Sequence, residues 1–589
     1  MVPPKIAAPP ARMLPKVRRP VPTVKMDGMD AGETAERFDA FRASADRCGR
    51  PGVALLSALA RARAATASGP ASWAPRVAGG FGLSAAAGLG PAGFYADLAA
   101  PHGRRHVRVC TAAACFAARA GTHVSEVEEA LGVTVGAASA DGEVSLQAVR
   151  CLGYCYAGPA GLDGLAAGTG PSLADQLARR VTALAPPIPA ADGTGDPVLL
   201  GGVLAGESSW QLWPEVATHG GVEQVQAEVA ASGLRGRGGA GFPVAAKWAA
   251  AGGSPATVVV ANGDEGDPGS YADRLLMEAD PDRVLEGLAL ACFACRARRA
   301  VVLVRSEYPA ALARMRETVR QAYEDAHFGR SVHGSNTALD VEVVEGAGSY
   351  VAGEETALIA GLEGGRGCAQ PRPPYPTERG LWAAPTVVNN VETLAALPWI
   401  VRHGGAAYAR RGTRPEPGTK LVCLSERFAR PRCYEVELGT PVERIVSEFG
   451  GGLRDGAELS LLQVGGPLGG FLPPDRLDVP LTQAGLSAAG AALGHAGMVA
   501  FDSSVPPAEV LRHVWEFAAA ESCGACSPCR VGSRRGLELV SAGKPPGEEY
   551  GRLLRLLSEA SLCAFGRRIP PAVTSLVSAC GGRLAGWER

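Results

Sequence analysis

Apolar residues fall into different rhythms along this chain, and each rhythm predicts a different element. Val258-Val-Val-Ala-Asn262 opens on a β-branched run, and Ala300-Val-Val-Leu-Val304 is apolar throughout. Strands buried on both faces of a parallel sheet read this way. Val124, Val127 and Leu131 are spaced by three and four, which predicts an amphipathic helix over 124–131. Val107-Arg-Val-Cys110 before it reads as a strand, and Val144, Leu146 and Val149 after it lead into Cys151. Strand, helix and strand in so short a stretch predict a small α/β unit.

The rhythm changes mark expected boundaries. Residues 1–33 are basic and Pro-rich, a disordered tail. Residues 34–100 are Ala-rich and predict short helices broken by glycine and proline, and 101–185 form the small α/β domain. The composition of 186–199 is that of a linker. A large α/β domain follows over 200–417, then a glycine-rich mixed β domain over 418–500 and a helical domain over 501–589.

A chain of 589 residues is too long for one core, which agrees with several domains. A net charge of −1 argues against nucleic acid as the main partner. The 15 cysteines are odd in number and clustered, unlike a disulfide framework, and suit a reducing cytoplasm. No secretory signal and no apolar run of about 18 residues is visible, so a soluble, cytoplasmic protein without direct membrane insertion is expected.

The cysteine spacing carries the chemistry. Cys523, Cys526 and Cys529 form C-x2-C-x2-C, with Cys563 as a distant fourth. That is the spacing of a [4Fe–4S] cluster; zinc, the rival, usually takes two separate knuckles. Cys110 and Cys115, with Cys151 and Cys155, place two thiol pairs on two loops. They suit a [2Fe–2S] rhomb, with zinc or unligated thiols as alternatives. The remaining cysteines read as packing residues.

Three polar or glycine-rich islands point to a nucleotide-like ligand. Gly236-x-Gly238-x-x-Gly241, with Lys247 behind it, formally matches a phosphate-cradling fingerprint, although no clear strand precedes it. Asn262-Gly-Asp264-Glu265-Gly-Asp267 follows the Val258 strand, where α/β folds bind ligands. Tyr350-Val-Ala-Gly353-Glu354-Glu355 and Asn389-Asn390-Val-Glu-Thr393 are polar groups in apolar surroundings, and buried polar groups need partners. Turn glycines and a solvated acidic loop are the plainer readings of these stretches.

In this order, the segments resemble a known module. Residues 230 to about 570 resemble the FMN-, NADH- and [4Fe–4S]-binding subunit of respiratory complex I and its soluble relatives, the NAD-reducing hydrogenases and NAD-dependent formate dehydrogenases. Residues 40–185 resemble the thioredoxin-like [2Fe–2S] subunit of the same systems, here fused to it.

The resemblance implies a multidomain α/β protein: a thioredoxin-like ferredoxin domain, a Rossmann-like FMN/NADH domain, a ubiquitin-like β-grasp (SLBB) domain and a C-terminal helical bundle with the [4Fe–4S] cluster. It places Gly236, Arg237, Gly238, Lys247, Asn262, Asp264, Tyr350, Gly353, Glu354, Asn389, Asn390 and Thr393 around FMN. It places Phe242, Glu265 and Asp267 in an NADH pocket, with Glu355 near flavin and nicotinamide, so that Glu265 and Glu355 are the candidate catalytic residues. The implied activity is diaphorase chemistry, hydride exchange between NAD(H) and FMN with one-electron transfer to the clusters. The implied partner is a separate catalytic subunit with further iron–sulfur clusters and a molybdenum or tungsten pterin, within a hetero-oligomer. A nickel–iron hydrogenase and complex I are the alternatives.

Two stretches depart from the usual pattern. The acidic loop has Gly263, Asp267 and Ser270 where Ala, Glu and Thr are usual, and Gly367-Cys-Ala-Gln-Pro-Arg replaces a Gly-x-Pro-Arg stretch. Outside this family, a zinc-held scaffold would be colourless, and a regulatory NADH sensor would bind nucleotide without passing electrons to an acceptor.

Overall fold

A computed structural model describes residues 52–66, 68–181, 187–543, 547–584 and 586–587. The expected tail over 1–33, the segment 34–51 and Cys48 lie outside the described residues. The rest of the Ala-rich region forms the helices Val53–Ala64, Pro70–Gly80, Ala85–Ala92 and Ala96–Ala99. Leu55, Leu59, Trp73, Tyr95 and Leu98 make their common core. Tyr95 Oη donates to the Gly365 carbonyl at 3.0 Å, which ties this region to the large α/β domain.

The small α/β unit contains β1 (Arg105–Cys110), β2 (Ala137–Ala138), β3 (Val144–Val149), β4 (Ala160–Asp163) and β5 (Ala166–Thr169), in the order β2-β3-β1-β4-β5. β1 and β3 run parallel; β4 is antiparallel to β1. The expected helix spans His123–Leu131, but its buried positions are His123 and Val127. An imidazole occupies this core position with its Nε2 donating to the Cys110 carbonyl at 2.8 Å, which offsets part of the cost of burying it, while Nδ1 has no protein partner.

The stretch expected to be a linker carries β6 (Ala190–Asp192) instead. A three-residue strand of Ala, Ala and Asp has no legible alternation; it forms only because a sheet edge offers it partners. Just after it, the amides of Val198, Leu199 and Leu200 donate to the buried carboxylate of Glu435.

The large α/β domain is built on β7 (Val258–Gly263), β8 (Arg299–Val304), β9 (Asp340–Glu345) and β10 (Thr386–Asn390). All are parallel, in the order β10-β7-β8-β9. The chain moves outward from β7 to β9 and returns on the other side of β7, so the strand order reverses between β7 and β10. In open α/β sheets, ligands bind at such a reversal, outside the carboxyl ends of the strands.

The mixed β domain adds β11 (Thr419–Leu424), β12 (Cys433–Glu437), β13 (Leu461–Val464), β14 (Phe471–Leu472) and β15 (Gly497–Phe501), with β6 as its edge. The last region holds the helices Pro507–Glu521, Ser527–Ser541, Glu548–Ala560 and Ala564–Ala579. Its first two helices touch where Gly536 faces Trp515: a Cβ at Gly536 would lie 2.1 Å from the indole ring. Among the described residues, no helix is long and apolar enough to cross a membrane.

Candidate functional site

The polar islands converge at the carboxyl ends of β7 and β10. The register pairs Asn262 with Asn390 and Ala261 with Asn389 across the two strands. Asn390 caps the helix Val391–Ala395, accepting from the Thr393 amide at 3.2 Å, and donates through Nδ2 to Asp273 at 2.6 Å. Thr393 Oγ1 in turn accepts from the Arg237 amide at 2.8 Å, which joins the glycine-rich loop to the strand ends. The Gly236 amide donates to the Phe242 carbonyl at 2.9 Å and closes that loop. Gly238 is needed for close approach, since a Cβ there would come within 2.8 Å of Asn390. The Arg237 guanidinium turns inward, to Tyr408 Oη and the Pro417 carbonyl, both at 2.8 Å.

On the helix Val244–Ala250 that follows this loop, Lys247 Nζ donates to Glu355 Oε2 at 3.2 Å and the Val388 carbonyl at 3.0 Å. Glu354 caps the helix Glu355–Leu362, accepting from the amides of Thr356 and Ala357, and Arg372 pairs with both Glu354 and Glu355. Asn262 Nδ2 donates to the Gly353 carbonyl at 2.8 Å. Two buried polar atoms in this cradle, Asp264 Oδ2 and Asn389 Nδ2, have no protein partner. Burial pushes the Asp264 carboxyl up to about 7.

The rest of the acidic loop faces two ways. The Glu265 carboxylate is buried and accepts from Ser270 Oγ at 2.5 Å and from the amides of Ala272, Asp273 and Arg274 at 2.8, 3.2 and 3.1 Å. It therefore holds the start of the helix Ala272–Ala279 in this structure. Asp267 Oδ1 accepts from Tyr350 Oη at 2.5 Å. Phe242 is 52% exposed, unusual for its size, and is free to stack.

The four thiols of the small α/β unit form one buried group. The Cys151 and Cys155 sulfurs lie 3.3 Å apart, and Cys110 is in side-chain hydrogen-bond contact with Cys115 and Cys151. Backbone amides point at them: Gly153 donates to Cys151 at 3.2 Å and Gly269, from the acidic loop, to Cys155 at 3.3 Å. Two buried arginines of the large domain clamp the Cys151–Cys155 loop. Arg274 donates to the Gly153 carbonyl at 3.0 Å and Arg305 to the Arg150 carbonyl at 3.3 Å. Sequence reasoning passed over both arginines, although Arg305 directly follows the apolar run ending at Val304, where a strand end brings a charge to the site.

Cys526 and Cys563 each stand at the N-cap of a helix, Ser527–Ser541 and Ala564–Ala579, and Cys529 lies in the first turn of the former. Helix N-termini favour thiolates. The Leu562 amide donates to Cys526 Sγ at 3.4 Å, and Cys529 meets Ser522 Oγ at 3.2 Å. Cys523 is pulled down to about 6, first by a hydrogen bond from Cys368, against the effect of burial. Tyr350 bridges this region to the cradle: its amide donates to Glu521 at 3.0 Å and its ring packs edge-on against Phe517 at 5.0 Å. Glu521 lies two residues before Cys523 and Cys368 in a stretch that departs from the usual pattern, but the contacts of Glu521 with Tyr350 and of Cys368 with Cys523 join distant residues and were not legible.

Three family models match the chain. Residues 229–399 match the Nuo51 FMN-binding domain, 42–162 the thioredoxin-like [2Fe-2S] ferredoxin and 509–582 the NADH-ubiquinone oxidoreductase-F iron-sulfur binding region. The chain is 38% identical over 352 residues to the HndC component of the NADP-reducing hydrogenase of Solidesulfovibrio fructosivorans, 58% of this chain and 72% of that one. It is 41% identical over 346 residues to the F 2 component of the NADH-quinone oxidoreductase of Rhizobium meliloti, 57% of this chain and 82% of that one. The chain belongs to the NADH-quinone oxidoreductase-F family. A solved NAD+-reducing [NiFe]-hydrogenase in the H2-reduced state has a chain with a TM-score of 0.80 and 29% identity, covering 91% of this chain and 93% of its own length.

As a family member it is an NADH-oxidising diaphorase subunit whose cofactors are FMN, a [2Fe–2S] and a [4Fe–4S] cluster, with NAD(H) as substrate. The donor sets fit these groups. The unpartnered Asp264 Oδ2 and Asn389 Nδ2 offer an acceptor and a donor to a heterocycle, and the described cysteines are free of disulfides, so their thiols are open to iron.

The buried Asp264 carboxyl gives a pH signature. Its folded value lies above that of an unfolded carboxyl, so the native state holds the extra proton and stability falls as pH rises from about 4 to about 7. In flavin-free protein, Asp264→Asn should flatten that dependence by on the order of 1 to 2 kcal/mol, with partial exposure allowed for. Urea unfolding at pH 5 and pH 8 reads it; an unchanged slope would mean that Asp264 is ionised in the folded state.

Proposed function

We propose that the cradle at the β7–β10 reversal holds FMN and that NAD(H) enters beside it past Phe242. Gly236, Arg237 and Gly238 supply the glycine-rich edge, Lys247 a positive charge, and Asn262, Asp264, Tyr350, Gly353, Glu354, Asn389, Asn390 and Thr393 the polar walls. Phe242, Glu265, Asp267 and Glu355 border the nucleotide side. When bound, FMN converts between a two-electron hydride and the single electrons that iron–sulfur clusters carry. The chain's own part is orientation: Phe242 offers an exposed ring for stacking, and the Lys247–Glu355–Arg372 group fixes charge at the cradle. The unpartnered polar pair in a cradle tied together by Arg237, Thr393 and Asn390 is the observation that carries this reading.

Cys110, Cys115, Cys151 and Cys155 are proposed as [2Fe–2S] ligands, and Cys523, Cys526, Cys529 and Cys563 as [4Fe–4S] ligands. Glu265→Gln tests the nucleotide side. It should raise the KM for NADH about tenfold or more in ferricyanide reduction while FMN content holds, since charge-assisted bonds are roughly twice as strong as neutral ones. Equal loss of both would assign Glu265 to the flavin or to the fold.

Electrons leaving this protein go to a separate catalytic subunit in a hetero-oligomer. Fusion of the two cluster modules in one chain supports an NAD-linked dehydrogenase with a molybdenum or tungsten pterin subunit, oxidising formate. A nickel–iron hydrogenase is the second reading, favoured by the likeness over 91% of the chain. Anaerobic purification from the native host with metal analysis decides between them: molybdenum or tungsten supports the first, nickel the second, and neither metal would leave a complex I-type partner.

A further inference from the structure

The departure at Gly367-Cys-Ala-Gln lies directly against the C-terminal thiol set. Cys368 Sγ donates to the Cys523 carbonyl at 3.3 Å, and the two sulfurs are themselves in hydrogen-bond contact. The Ala369 amide donates to the same Cys523 sulfur. Both donors reach across from the flavin segment, whereas the other amides on that sulfur, from Ala525 and Cys523 itself, belong to the ligand loop. The usual Gly-x-Pro-Arg stretch is two residues shorter: here Pro371-Arg372 is kept, and Cys368, Ala369 and Gln370 separate it from Gly367. The geometric contact is the Cys368 Sγ to Cys523 carbonyl bond, and it sets the lengthened segment directly against the Cys523 side chain, with Cys368 contributing a side chain and Ala369 backbone.

We propose that Cys368 is a fifth thiol of the [4Fe–4S] site, a positioning residue whose S–H, together with the Ala369 amide, donates to the Cys523 ligand sulfur and makes the cluster easier to reduce. The inference rests on the assignment of Cys523, Cys526, Cys529 and Cys563 as ligands. One S–H proton cannot serve two acceptors. With iron bound, the Cys523 sulfur is an anionic thiolate and competes with its own carbonyl for that proton, because bonds to charged acceptors are the stronger ones. Reduction adds one negative charge, spread partly onto the ligand sulfurs, so donors aimed at a sulfur favour the reduced state. A thiol is a weak donor and an amide a better one. The Cys368 contribution is therefore expected to be the smaller of the two.

The test is an EPR-monitored redox titration of the [4Fe–4S] signal in the full chain, with iron and FMN content measured alongside. In Cys368→Ala, the ratio of reduced to oxidised cluster at a fixed ambient potential should fall about three- to tenfold, tenfold being about 59 mV for one electron. Cys368→Ser restores a donor and should return the ratio to at least the wild-type value. Ala369→Pro should lower it by more than Cys368→Ala does, provided that FMN content shows the segment still folded. An unchanged midpoint in Cys368→Ala with iron content intact overturns the proposal. So does loss of the cluster from both Cys368 variants while Cys523→Ala keeps it, since that result makes Cys368 a ligand. Retention of the cluster in Cys526→Ala is a separate failure, which removes the ligand assignment itself.

Discussion

Cys526→Ala should abolish the [4Fe–4S] signal and leave FMN and the [2Fe–2S] signal in place. Cys526 stands at the N-cap of the helix Ser527–Ser541, where the helix end favours a thiolate, and receives the Leu562 amide at 3.4 Å. Removing an outer partner of a metal ligand costs about 10- to 100-fold in affinity, so removing a ligand should cost more. The flavin cradle is built on other elements, the ends of β7 and β10, and meets the cluster region through Tyr350 and Cys368. NADH-to-ferricyanide turnover should therefore survive, while electron delivery to the catalytic partner drops more than about a hundredfold. Optical and EPR spectra of the anaerobic variant check this; an unchanged cluster spectrum refutes the ligand set.

Lys420→Met should be the most destabilising single change in the cradle's support. Lys420 is 0% exposed and pairs with Glu392, 1% exposed, in the helix that carries Thr393. Glu392 also accepts from the Leu421 amide at 3.0 Å, and its own amide donates to Asp273. Without the lysine, that carboxylate is buried with only an amide beside it, and breaking a buried pair from one side costs about 3 to 5 kcal/mol. Thr393 and Asn390 hold the glycine-rich loop through Arg237, so flavin content should fall with stability. The double variant Lys420→Met/Glu392→Gln removes both charges and should recover most of the loss. Urea midpoints and flavin-to-protein ratios of the two variants read the difference. Equal destabilisation of both would show that the packing, not the charge pair, holds the helix.

Chain-local information explains which parts were legible. Seven thiols at short spacings, Cys110/Cys115, Cys151/Cys155 and Cys523/Cys526/Cys529, announce clusters because cluster loops bring sulfurs within a few residues of each other, whereas Cys563 is remote in the chain. The apolar runs at Val258 and Ala300 announce parallel strands because both faces of such strands are covered. The segment 186–199 was read as a linker on composition, yet β6 forms there by borrowing the edge of β12. His123 was passed over for Val124 because an imidazole looks polar until the Cys110 carbonyl is placed beside it. Glu265 carries a carboxylate in a ligand-binding position, but only the fold shows it already accepting from three amides.

By itself, the sequence determined the fold class, the thiol groupings, the polar islands and the resemblance that named the cofactors. The thiol groupings, the polar islands and the α/β and helical regions depend on spacing and periodicity, which are properties of neighbouring residues, while the named folds and the cofactors came with the resemblance. The tertiary structure alone decided that Asn262 and Asn390 face one another across β7 and β10, that Arg274 and Arg305 clamp the Cys151–Cys155 loop, and that Cys368 meets Cys523. Each of these contacts joins residues far apart in the chain. Strand register and helix docking set such distances, and they are outcomes of packing the whole core rather than of any local pattern.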